Sequence, residues 1–269
     1  AELALNVSVA AAHILVESVK DHRPKAIVGS DSRASGEFLE AAVVAGLTSA
    51  GVDVYRVGVL PTPAIAYLVA SSGADLGVML SASHNPMPDN GIKLFARGGG
   101  KLDDAIEDQI QKRMGEPWER PTGRNVGRVI EDKGAADRYL DYLLASVTEK
   151  LNGLKVVVDC ANGAASFVAP EALRRAGAEV VRVMLPLDQP ATASVGAGLG
   201  SLGFAYGFLA PRYGKYGNVL FVQWLRNPEV DMSGWVFADP HVEHVATMIV
   251  TQVSEPGIVK PETPPILQA

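Results

Sequence analysis

The run Ser81-Ala-Ser-His-Asn-Pro-Met-Pro-Asp-Asn-Gly-Ile-Lys93 brings a hydroxyl, an imidazole and an amine together within a few residues. Ser83 beside His84 pairs a nucleophile or phosphoryl carrier with a group that moves protons near neutral pH. Asn85 and two prolines stiffen the backbone, and Asn90-Gly91 makes a tight turn that returns the chain to Lys93. Such a loop can present Ser83 for covalent phosphorylation, with His84 and Lys93 as proton carriers or charge partners. The same composition suits an ordinary surface loop, because Pro, Asn and Gly make turns wherever they occur.

Regular elements must hold this loop in place. The apolar run Asp75–Leu80 predicts a strand, so the loop leaves its C-terminal end, where open α/β sheets place their ligands. Upstream, Leu3, Val7, Ala10, Ile14 and Leu15 predict a helix within residues 1–20. A strand follows from Lys25 to Val28, then a helix from Gly36 to Ala50 stopped by Gly51, a strand over Asp53–Val59 and a short helix over Ala64–Ala70. Downstream, Gly91–Phe95 reads as a strand and Asp103–Met114 as a helix with carboxylates first and Lys112 and Arg113 last. Residues 115–133, with Pro117, Pro121, Gly123 and Gly127, read as a connector. Then come a helix over Ala135–Lys150, a buried strand over Leu154–Asp159, a turn at Ala161–Ala165, a helix over Pro170–Ala176 and a strand over Ala178–Met184. The alternation predicts an α/β fold with layered helices around a mixed sheet. A fresh α/β unit begins near Leu151, which places a boundary at 148–153 and domains at 1–150 and 151–269.

Composition bounds the partners. The 269 residues carry 24 Lys+Arg against 30 Asp+Glu, a formal charge of -6, without the basic stripe that nucleic acid requires. Cys160 is the single cysteine, so no intrachain disulfide forms, and the usage fits a reducing cytosol. Ala1 to Ala12 hold no basic run, so no secretory signal is expected. Residues 186–269 contain 11 of the 54 charged residues but 9 of the 17 aromatics, and so require a separate reading.

Ser-Ala-Ser-His-Asn-Pro followed by Asp-Asn-Gly-Ile-Lys resembles the phosphoserine loop of the α-D-phosphohexomutases, in the Ser-Ala form of their glucosamine branch. Gly29-Ser-Asp-Ser-Arg-Ala-Ser-Gly36 resembles the family's early Asp-x-Arg-x-Ser motif. Gly58-Val-Leu-Pro-Thr-Pro63 resembles its Thr-Pro loop, and Val158-Asp-Cys-Ala-Asn-Gly-Ala164 the entry to its second domain. These motifs are ordered across roughly residues 1–185. The resemblance implies a first phosphohexomutase domain followed by a partial, atypical second one. It implies interconversion of glucosamine-6-phosphate and glucosamine-1-phosphate through a phosphoserine and a bisphosphate intermediate. Ser83 would carry the phosphoryl group and, through its phosphate, ligate Mg²⁺. His84 and Lys93 would be the general acid/base residues. Arg33 and Asn85 would bind phosphate or substrate, Arg33 with its fork of donors. Without the family, Arg33 reads equally as a surface ion-pair member, Lys93 as a strand-edge residue and Asp31 as a cap for the next helix. The implied setting is cytoplasmic, with a hexosamine phosphate as partner, no nucleic acid or membrane, and self-association left open.

The resemblance fades near Met184. The family's Gly-Thr-x-Gly-x-Arg start, its Asp-Gly-Asp-x-Asp-Arg metal loop, its Gly-Glu-x-Ser-Gly sugar loop and its Arg-x-Ser-Gly-Thr phosphate loop do not occur in this sequence. The chain alone is therefore expected to be inactive, and the alternative is a non-catalytic fragment or fusion acting in binding or assembly. Beyond residue 186, Gly198-Leu-Gly-Ser-Leu-Gly203 matches a dinucleotide fingerprint without a good strand before it. The charge-free stretch 189–211 reads as a buried strand–loop–strand rather than a membrane span. Asn218–Leu225 predicts a strand. Asp239, His241, Glu243 and His244 offer zinc ligands or, more simply, a capped helix start. The proline-rich end, 255–269, reads as an extended tail.

Overall fold

The computed structural model describes residues 1–225, apart from 17, 18, 20, 149, 150, 179, 191 and 214–216, together with His244 and Thr247. They fall into two units, Ala1–Leu143 and Leu144–Ala269.

The first unit runs α1 (Glu2–Val16), β1 (Lys25–Ser30), α2 (Gly36–Ser49), β2 (Asp53–Val59), α3 (Thr62–Ser72), β3 (Leu76–Leu80), β4 (Ile92–Ala96), α4 (Asp104–Arg113), β5 (Val129–Glu131) and α5 (Ala135–Ala145). The sheet order is β4-β3-β1-β2-β5, parallel except for β4, which runs antiparallel to β3 with Leu80 opposite Ile92. The central strands are apolar without alternation because both faces are covered: Ala26, Ile27, Val28, Leu76 and Val78 are all buried. α1 and α2 bury one face through Ala4, Ala12, Val43 and Leu47. α3 lies on the other, seated closely at Gly77, where a Cβ would come 2.4 Å from Val69 Cγ2. α5 joins α3 through stacked Tyr67 and Tyr142, their ring centroids 4.2 Å apart. Two helical layers therefore enclose a mixed sheet.

The connector 115–133 contains more than the sequence suggested. β5 pairs in parallel with β2, Val54 opposite Val129. Its capture depends on Asp53, whose carboxylate accepts the Arg128 N–H at 2.7 Å, while Val54 N–H donates to the Arg128 carbonyl at 2.7 Å. A strand this short has too few residues for periodicity to reveal it.

At the end of β3 opposite the Ser83 loop, Asp75 is buried and accepts from His22 Nε2 at 3.0 Å and from the Lys25 N–H at 3.1 Å. These contacts, with Asp21 on the other ring nitrogen, hold the His22 pKa above its ordinary 6.5 despite partial desolvation. Stability from this pairing is complete below about pH 6.5 and is lost as pH rises through the raised value. The urea midpoint should therefore fall with increasing pH across that window, and His22→Gln should flatten the slope in a pH series of denaturation curves.

The second unit runs β6 (Lys155–Val158), α6 (Val168–Arg175), β7 (Val180–Pro186), α7 (Thr192–Ser201), β8 (Ala205–Ala210) and β9 (Val219–Leu225). Its sheet order is β6-β7-β9-β8, with β6 and β7 parallel and both other pairings antiparallel. Val181, Val183, Leu185, Leu199 and Phe204 form its core. Two readings of the sequence change here. Among the described residues β6 is an edge strand, not a buried one, with Val157 64% and Leu154 just before it 50% exposed. The charge-free stretch forms a helix and then a strand, because small residues let α7 pack where glycine content suggested a loop. Gly198 and Gly200 lie within α7, so the fingerprint lacks the strand-turn-helix context that phosphate binding needs. Among the described residues no helix is long and apolar enough to cross a membrane, and no group of three or more His, Cys, Asp or Glu could hold a metal. Of the 239–244 cluster only His244 is described, and the tail lies outside the described residues. Burial, reinforced by Asp159, pushes the Cys160 thiol up to about 11, which keeps it protonated and unreactive.

Candidate phosphoryl-transfer site

The loop between Leu80 and Ile92 follows directly from sheet geometry: β3 and β4 are hairpin partners, and the loop leaves the C-terminal edge beside the end of β1. At its base, the Ser81 N–H donates to the Gly91 carbonyl at 2.9 Å, and the Asp31 N–H donates to the Leu80 carbonyl at 2.9 Å. Gly91 is required at this crossing, since a Cβ there would lie 2.6 Å from the Ser81 carbonyl oxygen. Above the base the backbone turns twice, with Asn85 N–H donating to Ala82 and Asp89 N–H to Pro86. Residues 83–90 are exposed.

Ser83 sits in the left-handed region with φ 59°, uncommon for a residue with a side chain. Its hydroxyl lies 3.4 Å from His84 Nδ1, a loose contact of the kind that tightens when a substrate arrives. Lys93 is half-buried on β4 opposite Met79, on the face shared with Phe95 and α3, and its side-chain amine makes no hydrogen bond or ion pair with another described residue. The loop thus brings Ser83 and His84 together, while Lys93 shares no hydrogen bond with either.

Arg33 lies beneath the loop. Its guanidinium pairs with Asp31 at 2.6 Å, both side chains 12% exposed, and donates to the carbonyl oxygens of Asn85 at 2.7 Å and Ser83 at 3.4 Å. Its Nε is buried and has no partner among the described residues. Asn85 therefore enters the cluster through its backbone carbonyl. Asp31 does not cap α2: its carboxylate accepts the Arg33 N–H and guanidinium instead, and Ser35 at the helix start makes no capping bond. Ser35 donates to Asn90 Oδ1, tying the far arm of the loop to the start of α2. Asp31, Arg33, Ser35, Ser81 and Asn90 line a small open cleft with a cavity volume of about 10 Å³, room for a single water molecule.

Of the candidates singled out in the sequence, Ser83, His84, Arg33 and the Asn85 carbonyl lie together and Lys93 stands apart, while Ser81 and Ser35, given no role of their own there, hold the loop, Ser35 through the side chain of the turn residue Asn90. The available signal was spacing: a serine two residues before another can accept its N–H in a hydroxyl-closed turn.

The first unit is thus a parallel-centred α/β/α layer that presents an exposed serine beside a histidine, above a partly buried arginine. Residues 1–120 match the family described as phosphoglucomutase/phosphomannomutase, alpha/beta/alpha domain I. Over this stretch the chain belongs to the phosphohexomutase family. Within it, curated relatives named phosphoglucosamine mutase share 65% identity: one from Acidothermus cellulolyticus over 185 residues, 68% of this chain and 40% of the relative, and one from Streptomyces griseus over 190 residues, 68% and 42%. A solved phosphoglucomutase/phosphomannomutase family protein from Burkholderia thailandensis is similar with a TM-score of 0.57 and 29% identity, over 67% of this chain and 39% of that one. The chain spans about two fifths of the length of these relatives.

The family expectation of Mg²⁺ finds no complete ligand set here. The described residues hold no cluster of three metal-ligating side chains, and the Asp31 carboxylate is occupied by Arg33. They do not form a magnesium site by themselves.

Proposed function

We propose that the chain carries the phosphoserine-bearing part of a phosphoglucosamine mutase-like enzyme, acting in the cytoplasm on hexosamine phosphates. The observation that carries this reading is Ser83, held in a left-handed conformation on an exposed loop with an imidazole nitrogen 3.4 Å from its hydroxyl. In the forward step the P–Oγ bond of phosphoserine breaks as a P–O bond forms to a sugar hydroxyl. The hydroxyl proton passes to His84 or Lys93, and the Ser83 oxygen regains a proton. The reverse step, from the other end of the bisphosphate, restores phosphoserine.

The chain alone does not complete this cycle, because the sugar, metal and distal-phosphate loops of the family do not occur in it. A second reading, a non-catalytic mutase-derived fragment or fusion serving binding or assembly, is favoured by the third of the chain that the named relatives leave unmatched. Incubation with glucosamine-1,6-bisphosphate and Mg²⁺, followed by peptide mapping, should place phosphate on Ser83 without measurable interconversion of glucosamine-6-phosphate and glucosamine-1-phosphate. A folded chain with no label on Ser83 would defeat the mutase reading, and robust turnover would defeat the fragment reading.

A further inference from the structure

The buried hydroxyl at the base of the loop has a role of its own. Ser81 is 6% exposed, whereas every residue from Ser83 to Asn90 is exposed. Its backbone is fixed by the N–H bond to Gly91, and its Oγ accepts the Ser83 N–H at 3.0 Å. On the other side of the same residue, the Ser83 carbonyl receives Arg33. Ser83 is thus gripped at both of its backbone polar groups, one grip from each flank.

We propose that Ser81 is a positioning residue for phosphoryl transfer: its hydroxyl holds Ser83 in the left-handed conformation from which the Ser83 oxygen faces solvent and His84. This rests on the reading of Ser83 as the phosphoryl carrier. A left-handed backbone is disfavoured for any residue with a Cβ, so Ser83 keeps it only while its surroundings determine it. The Ser81 acceptor is the local feature that does so, and one hydrogen bond is comparable in size to the conformational penalty. Losing it frees the backbone to return to an ordinary region, which swings the Ser83 oxygen away from His84. Transfer chemistry is sensitive to such shifts, since a displacement of about 1 Å can cost about a hundredfold in rate.

The test compares the full chain with its Ser81→Ala and Ser81→Thr variants. Amide-proton exchange followed by NMR reads the grip directly, and the rate of Ser83 labelling by glucosamine-1,6-bisphosphate reads its consequence. In Ser81→Ala, exchange at the Ser83 N–H should rise about tenfold, while the amides of Asp31 and Leu60, bonded to the Leu80 and Ser30 carbonyls, stay protected. Labelling should fall at least about tenfold. Ser81→Thr, which keeps the hydroxyl, should restore both. A generally weakened fold would raise exchange at all three amides, which would overturn the proposal. So would unchanged exchange at Ser83 in Ser81→Ala, faster exchange with labelling intact, or failure of Ser81→Thr to restore either. If the parent chain takes no label, the phosphoserine reading falls, and the exchange comparison still decides whether Ser81 holds Ser83.

Discussion

Ser83→Ala should reduce phosphate uptake from glucosamine-1,6-bisphosphate to background, the largest change expected of any single substitution in this chain. The bond that stores the phosphoryl group is P–Oγ, and alanine offers no oxygen to form it. Neither His84 nor Lys93 replaces it, because a nitrogen-bound phosphoryl would be far more labile and Lys93 makes no hydrogen bond to the loop tip. Ser83→Gly provides the control for folding. At φ 59° glycine is at ease where serine is strained, so this variant should be at least as stable as the parent while also losing the label. Intact-mass measurement after incubation, with a thermal melt on the same samples, separates the two effects. Label appearing on another residue of either variant would show that the exposed serine is not the carrier.

The first unit was legible because its strands are long and apolar and its helices end at clear punctuation. Gly51, with φ 89°, terminates α2 where the glycine placed it, and β2 spans Asp53–Val59 as its apolar run indicated. The chemistry-bearing loop was legible for a related reason: Asn90-Gly91 and two prolines leave few backbone paths between β3 and β4. What the sequence concealed lies in side chains that serve the backbone. Asp31 could be a helix cap or an arginine partner by residue type alone, and only the position of Arg33 under the loop decides between them. β5 was hidden because its register is set by Asp53, a contact across 75 positions. In the second unit Gly196, Gly198 and Gly200 give α7 weak helix propensity, and packing of Val195 and Leu199 against the sheet overrides it.

Gly91→Ala should damage the site more than it damages the fold. The added Cβ would stand 2.6 Å from the Ser81 carbonyl oxygen and 3.2 Å from its carbon, both backbone atoms that cannot rotate away. The two arms of the loop must separate, and the first bond to break is the one between the Ser81 N–H and the Gly91 carbonyl. Overpacking of this kind typically costs about 1–3 kcal/mol, tolerable for a unit whose core lies in the layers around Val28, Leu47 and Leu76. The site has no such reserve. Displacing Ser81 withdraws the acceptor that holds the Ser83 N–H, and moving the far arm strains the Ser35–Asn90 tie. Ser83 labelling should therefore fall by about a hundredfold, the scale of a 1 Å misplacement, while the melting midpoint drops by only a few degrees. Single-turnover labelling and a thermal melt measure the pair of effects. A drop in labelling no larger than that of an equally destabilised core variant, such as Val43→Ala, would mean that loop closure does not govern transfer. The comparison works because Val43 is buried between α2 and the sheet, away from the cleft beside Ser81, so its loss weakens the layer without opening the loop.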